Sequence, residues 1–529
     1  MEIHGKNIIG FELSGSGEKT FSAFNPRAGE AIPPAFFEAQ ESEVNRALDL
    51  AATAAPQLRK LSAEQIADFL TQVREEIAGI GDSLIERAAE ETALDKGRLT
   101  GERERTLNQI GLFVNIVQEG SWVDARIDPA LPDRKPLPRP DIRRMQRPIG
   151  PVAVFGASNF PLAFSVAGGD TVSAFAAGNP VIVKAHPAHP GTSELVASAI
   201  VRAVKSSGMP EGTFSMLHGK RPEVSLMLIM HAHTRAVGFT GSERAGRALF
   251  DAAARRRDPI PVYAEMGSVN PVFILPEVLN AGAQSIAEGL FRSVSLGVGQ
   301  FCTCPGLVFA PEAPGFRDFR ERLIGEFEKA SPASMLNPAI AHGYQERTGS
   351  VAAASGVESH ASTRGSDPKL TEAQPHVFVT NAQTWLGNKA LHSEIFGPAT
   401  ILVHCGSEAG LLEAARALEG SLTATIHGTP EELRKHSELI ELLSHKAGRL
   451  VFNGYPTGVE VGYAMHHGGP YPATTDEKFT SVGAAAIYRF ARPVCYQNFP
   501  ESLLPPELQN ANPRGIWRMI DGRLTRDAI

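Results

Sequence analysis

The stretch Ile149 to Lys184, IGPVAVFGASNFPLAFSVAGGDTVSAFAAGNPVIVK, decides the reading of the fold. As far as Val183 its only charged residue is Asp170, and by hydrophobicity alone it would pass for a membrane span. The chain breakers exclude that reading. Gly156, Asn159, Pro161, Gly168, Gly169, Gly178, Asn179 and Pro180 fall at intervals too short for a continuous spanning helix. The segment reads instead as strand, helix, strand, with the strands near Pro151–Phe155 and Pro180–Lys184. A strand that is apolar at nearly every position is covered on both faces, the condition of a parallel sheet.

Working outward, the same unit recurs. Strand-like runs near Thr213–Leu217, Arg235–Phe239 and Pro261–Glu265 alternate with helical patterns, which predicts a parallel sheet flanked by helices. A second alternating set, near Asn270–Leu275, Gly306–Phe309, His376–Thr380, Ala399–Val403, Leu422–Ile426 and Arg449–Phe452, predicts a second α/β domain over 267–470. Upstream, residues 1 to about 40 read as short edge strands. From Glu41 to Val123 the pattern is helical, with apolar residues three and four apart in Ala63–Ile80 and Leu84–Leu94. The prolines of Arg126–Arg147 permit no helix and predict an extended arm. An apolar run, Val482–Phe490, reads as a further strand that would join this arm in an interdomain or intersubunit sheet. The expected division is 1–125 with 149–266, then 267–470, an arm from 126–148 and 480–500, and an extension over 501–529.

With 529 residues, 43% hydrophobic and 21% charged, and a net charge of −7, the composition is that of a globular protein with two or three cores. The densest basic groups, Arg143-Arg144 and Arg255-Arg256-Arg257, are too short for a phosphate track, so no nucleic-acid partner is expected. No membrane partner is expected either. Four cysteines, at 302, 304, 405 and 495, form no disulfide framework and point to a reducing compartment. A lone Cys302-x-Cys304 pair is a weak zinc signal, and no metal is expected. The start, MEIHGKNIIGFE, lacks a signal-peptide core, so the expected location is cytoplasmic.

Ligands of open parallel sheets bind beyond the carboxyl ends of the strands. There stand Asn159, Lys184, Thr240-Gly241-Ser242 and Glu265. The stretch Phe291 to Pro305, FRSVSLGVGQFCTCP, adds Cys302 between a helix-like segment and an apolar strand. By itself such a cysteine reads first as a small buried hydrophobe, and only second as a nucleophile.

Asn159-Phe160-Pro161, Val183-Lys184, Phe239-Thr240-Gly241-Ser242 with Gly246, Glu265-Met266-Gly267, Gly299-Gln300-Phe301-Cys302 and Glu394-Ile395-Phe396-Gly397-Pro398 together resemble the aldehyde dehydrogenase superfamily. The resemblance spans nearly the whole chain. It implies an aldehyde-dehydrogenase-like α/β fold with a dinucleotide-binding domain, a catalytic domain and an oligomerisation arm. It implies NAD(P)-dependent oxidation of a small-molecule aldehyde, and a homo-oligomer, dimer or tetramer. Cys302 matches the nucleophile, Asn159 the oxyanion donor that works with the Cys302 backbone N–H, and Glu265 the base that activates water. An apolar setting is expected to raise the Glu265 pKa. Lys184 matches the lysine at the adenosine ribose, Glu394 and Phe396 the residues at the nicotinamide ribose, and Thr240, Gly241 and Ser242 the pyrophosphate turn that opens a helix over Ser242–Ala254.

One departure bears on the cofactor: Pro187 stands where NAD-preferring members commonly carry a glutamate for the ribose 2′-hydroxyl. A 2′-phosphate would meet no repulsion there, and Lys220 or Arg221 would pair with it, so NADP is expected and NAD possible. His186 and His189 read as surface loop histidines. The run Lys184–Ser193, the form of the nucleophile loop and the C-terminal extension resemble the bacterial 2-oxoglutarate semialdehyde (2,5-dioxopentanoate) dehydrogenases. The alternatives are an NADP-linked aliphatic aldehyde dehydrogenase, a CoA-acylating relative, an esterase, and a non-catalytic binding protein. The presence of both Cys302 and Glu265 argues against the last, and Glu265 against CoA transfer.

Overall fold

The computed structural model describes residues 2–367 and 370–529. Its first sheet has seven strands in the order Val262–Glu265, Ala236–Thr240, Val152–Phe155, Val181–Lys184, Phe214–Leu217, Asn7–Ile9 and Glu12–Ser14. The first five are mutually parallel, and the N-terminal pair closes the edge antiparallel. The strand order reverses between Val152–Phe155 and Ala236–Thr240, so the loops after these two strands diverge to opposite faces and leave a crevice at their carboxyl ends.

Asp170, the lone charge of the opening stretch, is not a flaw in this core. It lies in the helix Gly169–Ala176 and accepts a 2.7 Å hydrogen bond from Arg489 Nη1. The two strands of that stretch are buried at every position, as their composition requires. Phe69, Phe113, Phe175 and Phe214 fill the space between this sheet and the helices of the N-terminal segment. Each ring excludes water worth about 2–3 kcal/mol. The helix Ala63–Ala78 starts at a capping box of Ser62 and Gln65, and Lys96–Glu119 at Asp95, which accepts from the Gly97 and Arg98 N–H groups.

The second sheet also has seven strands, ordered Glu358–Ala361, His376–Asn381, Ala399–His404, Leu307–Ala310, Val272–Ile274, Ser421–His427 and Ala447–Phe452. All but the first are parallel. Phe273, Phe309 and Trp385 are fully buried against it. The two sheets are joined in series: Glu265 ends the last parallel strand of the first, and Val272 opens the earliest strand of the second. Later the chain returns, and Met266 N–H donates to Ala473 C=O at 2.8 Å.

A third sheet, of five strands, runs in the order Ala491–Gln497, Ile142–Pro148, Arg126–Asp128, Arg518–Ile520 and Arg523–Thr525. The proline-rich arm thus forms strands at its two ends, and the C-terminal extension supplies two more. The apolar run Val482–Phe490 is not a strand. Ala484–Phe490 is a 3-10 helix that inserts Ile487 and Phe490 into the first core, and the strand begins only at Ala491. Its apolarity reflects burial; the true strand, with a mostly exposed face, has too little hydrophobic content to announce itself. No helix among the described residues is long and apolar enough to cross a membrane.

Candidate active site

The carboxyl ends of the first sheet and the amino ends of the second face each other across a cleft of about 800 Å³. Asn159, Glu265, Cys302, Glu394 and Phe396 all line it, together with Thr240, Gly241, Ser242 and Lys220.

The loop that carries Cys302 is held from several sides. Gly297, Val298 and Gly299 all have positive φ, between 56° and 65°, so the chain turns sharply after the helix Pro276–Ser295. For the β-branched Val298 this conformation is strained. Asn270, also at positive φ, donates Nδ2–H to the carbonyls of Cys302 at 2.7 Å and Cys304 at 3.0 Å. Asn159 Nδ2 donates to Gln300 C=O at 3.1 Å, and Arg98 donates to Asn159 C=O at 2.7 Å. The Arg98 guanidinium also lies over the rings of Phe160 and Phe301, at 5.0 and 4.7 Å from their centroids.

Cys302 is half-buried, and its Sγ lies 3.5 Å from Nε2 of His467. The same Nε2 is 3.1 Å from Oε1 of Glu265, and Ser481 Oγ donates to the other carboxylate oxygen. Burial pushes the Cys302 thiol well up, with the Glu265 and Glu394 charges adding to it and Arg105 opposing. Burial also pulls the Glu265 carboxyl up, but His467, Ser481 and Cys302 more than offset it, and the net shift is downward. The expected upward shift is therefore reversed: the apolar strand end is real, but three polar side chains converge on it. Thiol, imidazole and carboxylate can exchange protons at these distances. Cys304 is buried, with Sγ 3.7 Å from Val294 C=O, and does not face the cleft.

Ser242 caps the helix Glu243–Ala254 by accepting from Ala245 N–H. A Cβ on Gly241 would lie 2.6 Å from Phe239, so only glycine leaves this turn open. Glu394 packs its carboxylate over Gly267, where a Cβ would lie 2.8 Å from Oε2, and burial pushes its carboxyl up to about 8. Lys184 ends its strand under the crevice, outside the cleft lining; burial lowers its ammonium to about 8, with Glu38 opposing. Lys220 is exposed at the cleft, whereas Arg221 is held by Glu38 through bonds of 3.0 and 2.9 Å and is not free for a phosphate. The histidines are not surface groups. His189 is fully buried, bonded to Ala157 C=O at 2.8 Å, and His186 is half-buried and lines the cleft. An open glycine turn at a capped helix, a carboxylate over Gly267 and a buried ammonium fit a dinucleotide.

Sequence reasoning missed His467, Asn270, Arg105 and Arg244. Arg244 lines the cleft next to the Thr240-Gly241-Ser242 turn and could have been found from its place in the first helical turn after Ser242. The others lie in no local motif.

The model of the aldehyde dehydrogenase family matches residues 13–477. The chain is 47% identical over 524 residues to alpha-ketoglutaric semialdehyde dehydrogenase 2 of Azospirillum brasilense, covering 99% of this chain and 100% of that protein. It is 45% identical over 528 residues to the alpha-ketoglutaric semialdehyde dehydrogenase of Acinetobacter baylyi, covering 99% and 100%. The crystal structure of a betaine aldehyde dehydrogenase from Staphylococcus aureus in complex with NAD+ has the same fold, with a TM-score of 0.80 at 17% identity over 94% of this chain and 97% of that one. The chain belongs to the aldehyde dehydrogenase family and is an NAD(P)-dependent oxidoreductase acting on small-molecule aldehydes.

Proposed function

We propose that the substrate is 2-oxoglutarate semialdehyde, oxidised to 2-oxoglutarate with NADP as the favoured cofactor. Arg105 is the observation that carries the substrate. Its guanidinium lies largely buried behind the Phe164 ring, which lines the cleft while Arg105 itself does not, and its field acts on Cys302 and Glu265 as well as Glu102. Neither terminal nitrogen has a hydrogen-bond partner among the described residues. A buried cation left this way favours an anionic ligand group, and the distal carboxylate of a semialdehyde acid is one. The two full-length relatives named for this substrate support the same reading.

Cys302 Sγ adds to the aldehyde carbon, and the oxygen that becomes negative takes hydrogen bonds from the Cys302 backbone N–H and the Asn159 amide. Losing one such donor costs about 3 kcal/mol in comparable sites. The chemistry supplied by the cofactor, when bound, is acceptance of the hydride. Glu265 then takes a proton from the water that hydrolyses the thioester. Thr240, Gly241 and Ser242 present the turn and helix N-terminus to the pyrophosphate. Lys184 serves the adenosine ribose, Glu394 and Phe396 the nicotinamide ribose, and Lys220 the 2′-phosphate that Pro187 does not repel. The outer strand Ala491–Gln497, paired on one side only among the described residues, supports a homo-oligomer, a dimer or tetramer, and the four free cysteines support a reducing, cytoplasmic setting.

The test is a panel of 2-oxoglutarate semialdehyde, succinate semialdehyde and aliphatic aldehydes, each assayed with both cofactors. The first with NADP should give the highest kcat/KM; a preference for an aliphatic aldehyde would refute the substrate.

A further inference from the structure

His467 lies between the two groups that the aldehyde chemistry needs, yet that chemistry as described above assigns it nothing. It sits in the irregular stretch after the strand Ala447–Phe452 and has no side-chain exposure. The backbone fixes it: its N–H donates to Thr480 Oγ1 at 2.8 Å, and its carbonyl accepts from Ser481 N–H at 2.9 Å. Its ring tilts against Phe164, 6.3 Å between centroids. Ser481, which grips its carbonyl, also donates to Glu265. Imidazole, carboxylate and serine thus form one rigid assembly with Nε2 aimed at Cys302 Sγ.

A cysteine attacks as thiolate, not thiol. Here the thiol is surrounded by influences that oppose ionisation: burial, Glu265 and Glu394. The charged and titratable groups around His467 and its partners are Glu265 on the first sheet, Cys302 and Glu394 on loops of the second domain, and His466 beside it in the chain. Arg105 acts from the N-terminal helices and Arg449 from the strand Ala447–Phe452, and Asp476 and Arg489 line the small cavity behind the imidazole, with Asp170 paired to Arg489. Among these the groups in contact with the sulfur that can take its proton are His467 and Glu265. A proton moved to Glu265 would remove the carboxylate needed later for water. A proton moved to His467 keeps that carboxylate charged and adjacent to the new cation.

We propose that His467 is a catalytic residue that takes the Cys302 thiol proton on Nε2, leaving a thiolate beside an imidazolium held by Glu265. The S–H bond breaks as the N–H bond forms, and the cluster's net charge does not change. The imidazolium keeps the proton while sulfur is bonded to carbon. On hydrolysis water gives its hydroxyl to the acyl carbon and its proton to Glu265. The C–S bond then breaks, and the sulfur recovers its proton from His467. Nδ1 has no partner among the described residues, and the cavity that His467 lines, about 20 Å³, has room for one water.

This role rests on the assignment of Cys302 as nucleophile, and the experiment separates the two. The rate of iodoacetamide alkylation at Cys302 is measured from pH 5.5 to 9.5 without cofactor or substrate, by peptide mass spectrometry because Cys495 is also exposed. Pairing with the imidazolium must outweigh the burial and carboxylates that push the thiol up, so the wild type should titrate below an ordinary thiol, whose midpoint is about 8.5. His467→Asn and His467→Gln should shift the midpoint up by at least one pH unit and slow alkylation at pH 6.5 by tenfold or more, with NADPH binding retained. A wild-type midpoint at or above that of an ordinary thiol overturns the proposal whatever the variants do. So does a midpoint that moves in Glu265→Gln but not in the His467 variants. If alkylated wild-type enzyme keeps its turnover, the nucleophile assignment fails instead.

Discussion

Gly299 and Gly397 meet backbone to backbone: a Cβ on Gly299 would lie 2.2 Å from the Gly397 carbonyl carbon. The loop that carries Cys302 is therefore keyed into the loop that carries Glu394 and Phe396. Gly299 also has φ near 65°, where a side chain adds strain. Gly299→Ala should cost about 2–4 kcal/mol of stability by denaturant unfolding and lower kcat by roughly 10²-fold through misplacement of the thiol. Wild-type turnover in this variant would mean that the two loops move independently.

Replacing Glu265 by Gln removes the base but keeps the shape. The variant should release one NADPH per site in a rapid burst and then stall with the acyl group on Cys302, visible as a mass increase of the intact protein. Steady-state turnover within about threefold of wild type would show that another group activates the water.

Arg105→Gln separates substrate recognition from chemistry. A charge-assisted hydrogen bond is worth about 1.5–3 kcal/mol, so KM for 2-oxoglutarate semialdehyde should rise roughly ten- to a hundredfold. Hexanal, which has no carboxylate, should be oxidised with little change. An equal loss for both substrates would place Arg105 in the support of Cys302 and Glu265, not in substrate binding.

Lys220→Ala should lower kcat/KM for NADP by about tenfold, the worth of one exposed phosphate contact, and leave NAD nearly untouched. Arg221→Ala should affect neither selectively, because Arg221 is engaged by Glu38. Cofactor titrations by nucleotide fluorescence would read both.

The parts of the site legible in the sequence are those fixed by local order. Lys184, Thr240 and Glu265 end strands whose apolar runs are continuous, and Asn159 and Cys302 sit in turns marked by glycine and proline. His467 was hidden because it belongs to no strand or helix and meets Glu265 and Cys302 only through long-range closure of the chain. Arg105 was hidden for another reason: in the polar pattern of Lys96–Glu119 one arginine looks like any solvated one, until folding buries it against Phe164. The edge strand Ala491–Gln497 was displaced onto its apolar neighbour, because hydrophobicity marks what is buried before it marks what is extended. Asn270 carried no signal at all; a strand-end asparagine reads as a turn residue, and its hold on the Cys302 carbonyl depends on positive φ.

Glu265 closes one sheet and the Cys302 loop leads into the other, and both the short segment 266–271 and the returning stretch around Ala473–Thr475 tie the base to the second domain. Neither sheet by itself therefore holds a working pair: the acid-base half of the site belongs to one domain and the sulfur to the other, so the reactive centre exists only once the whole chain has folded.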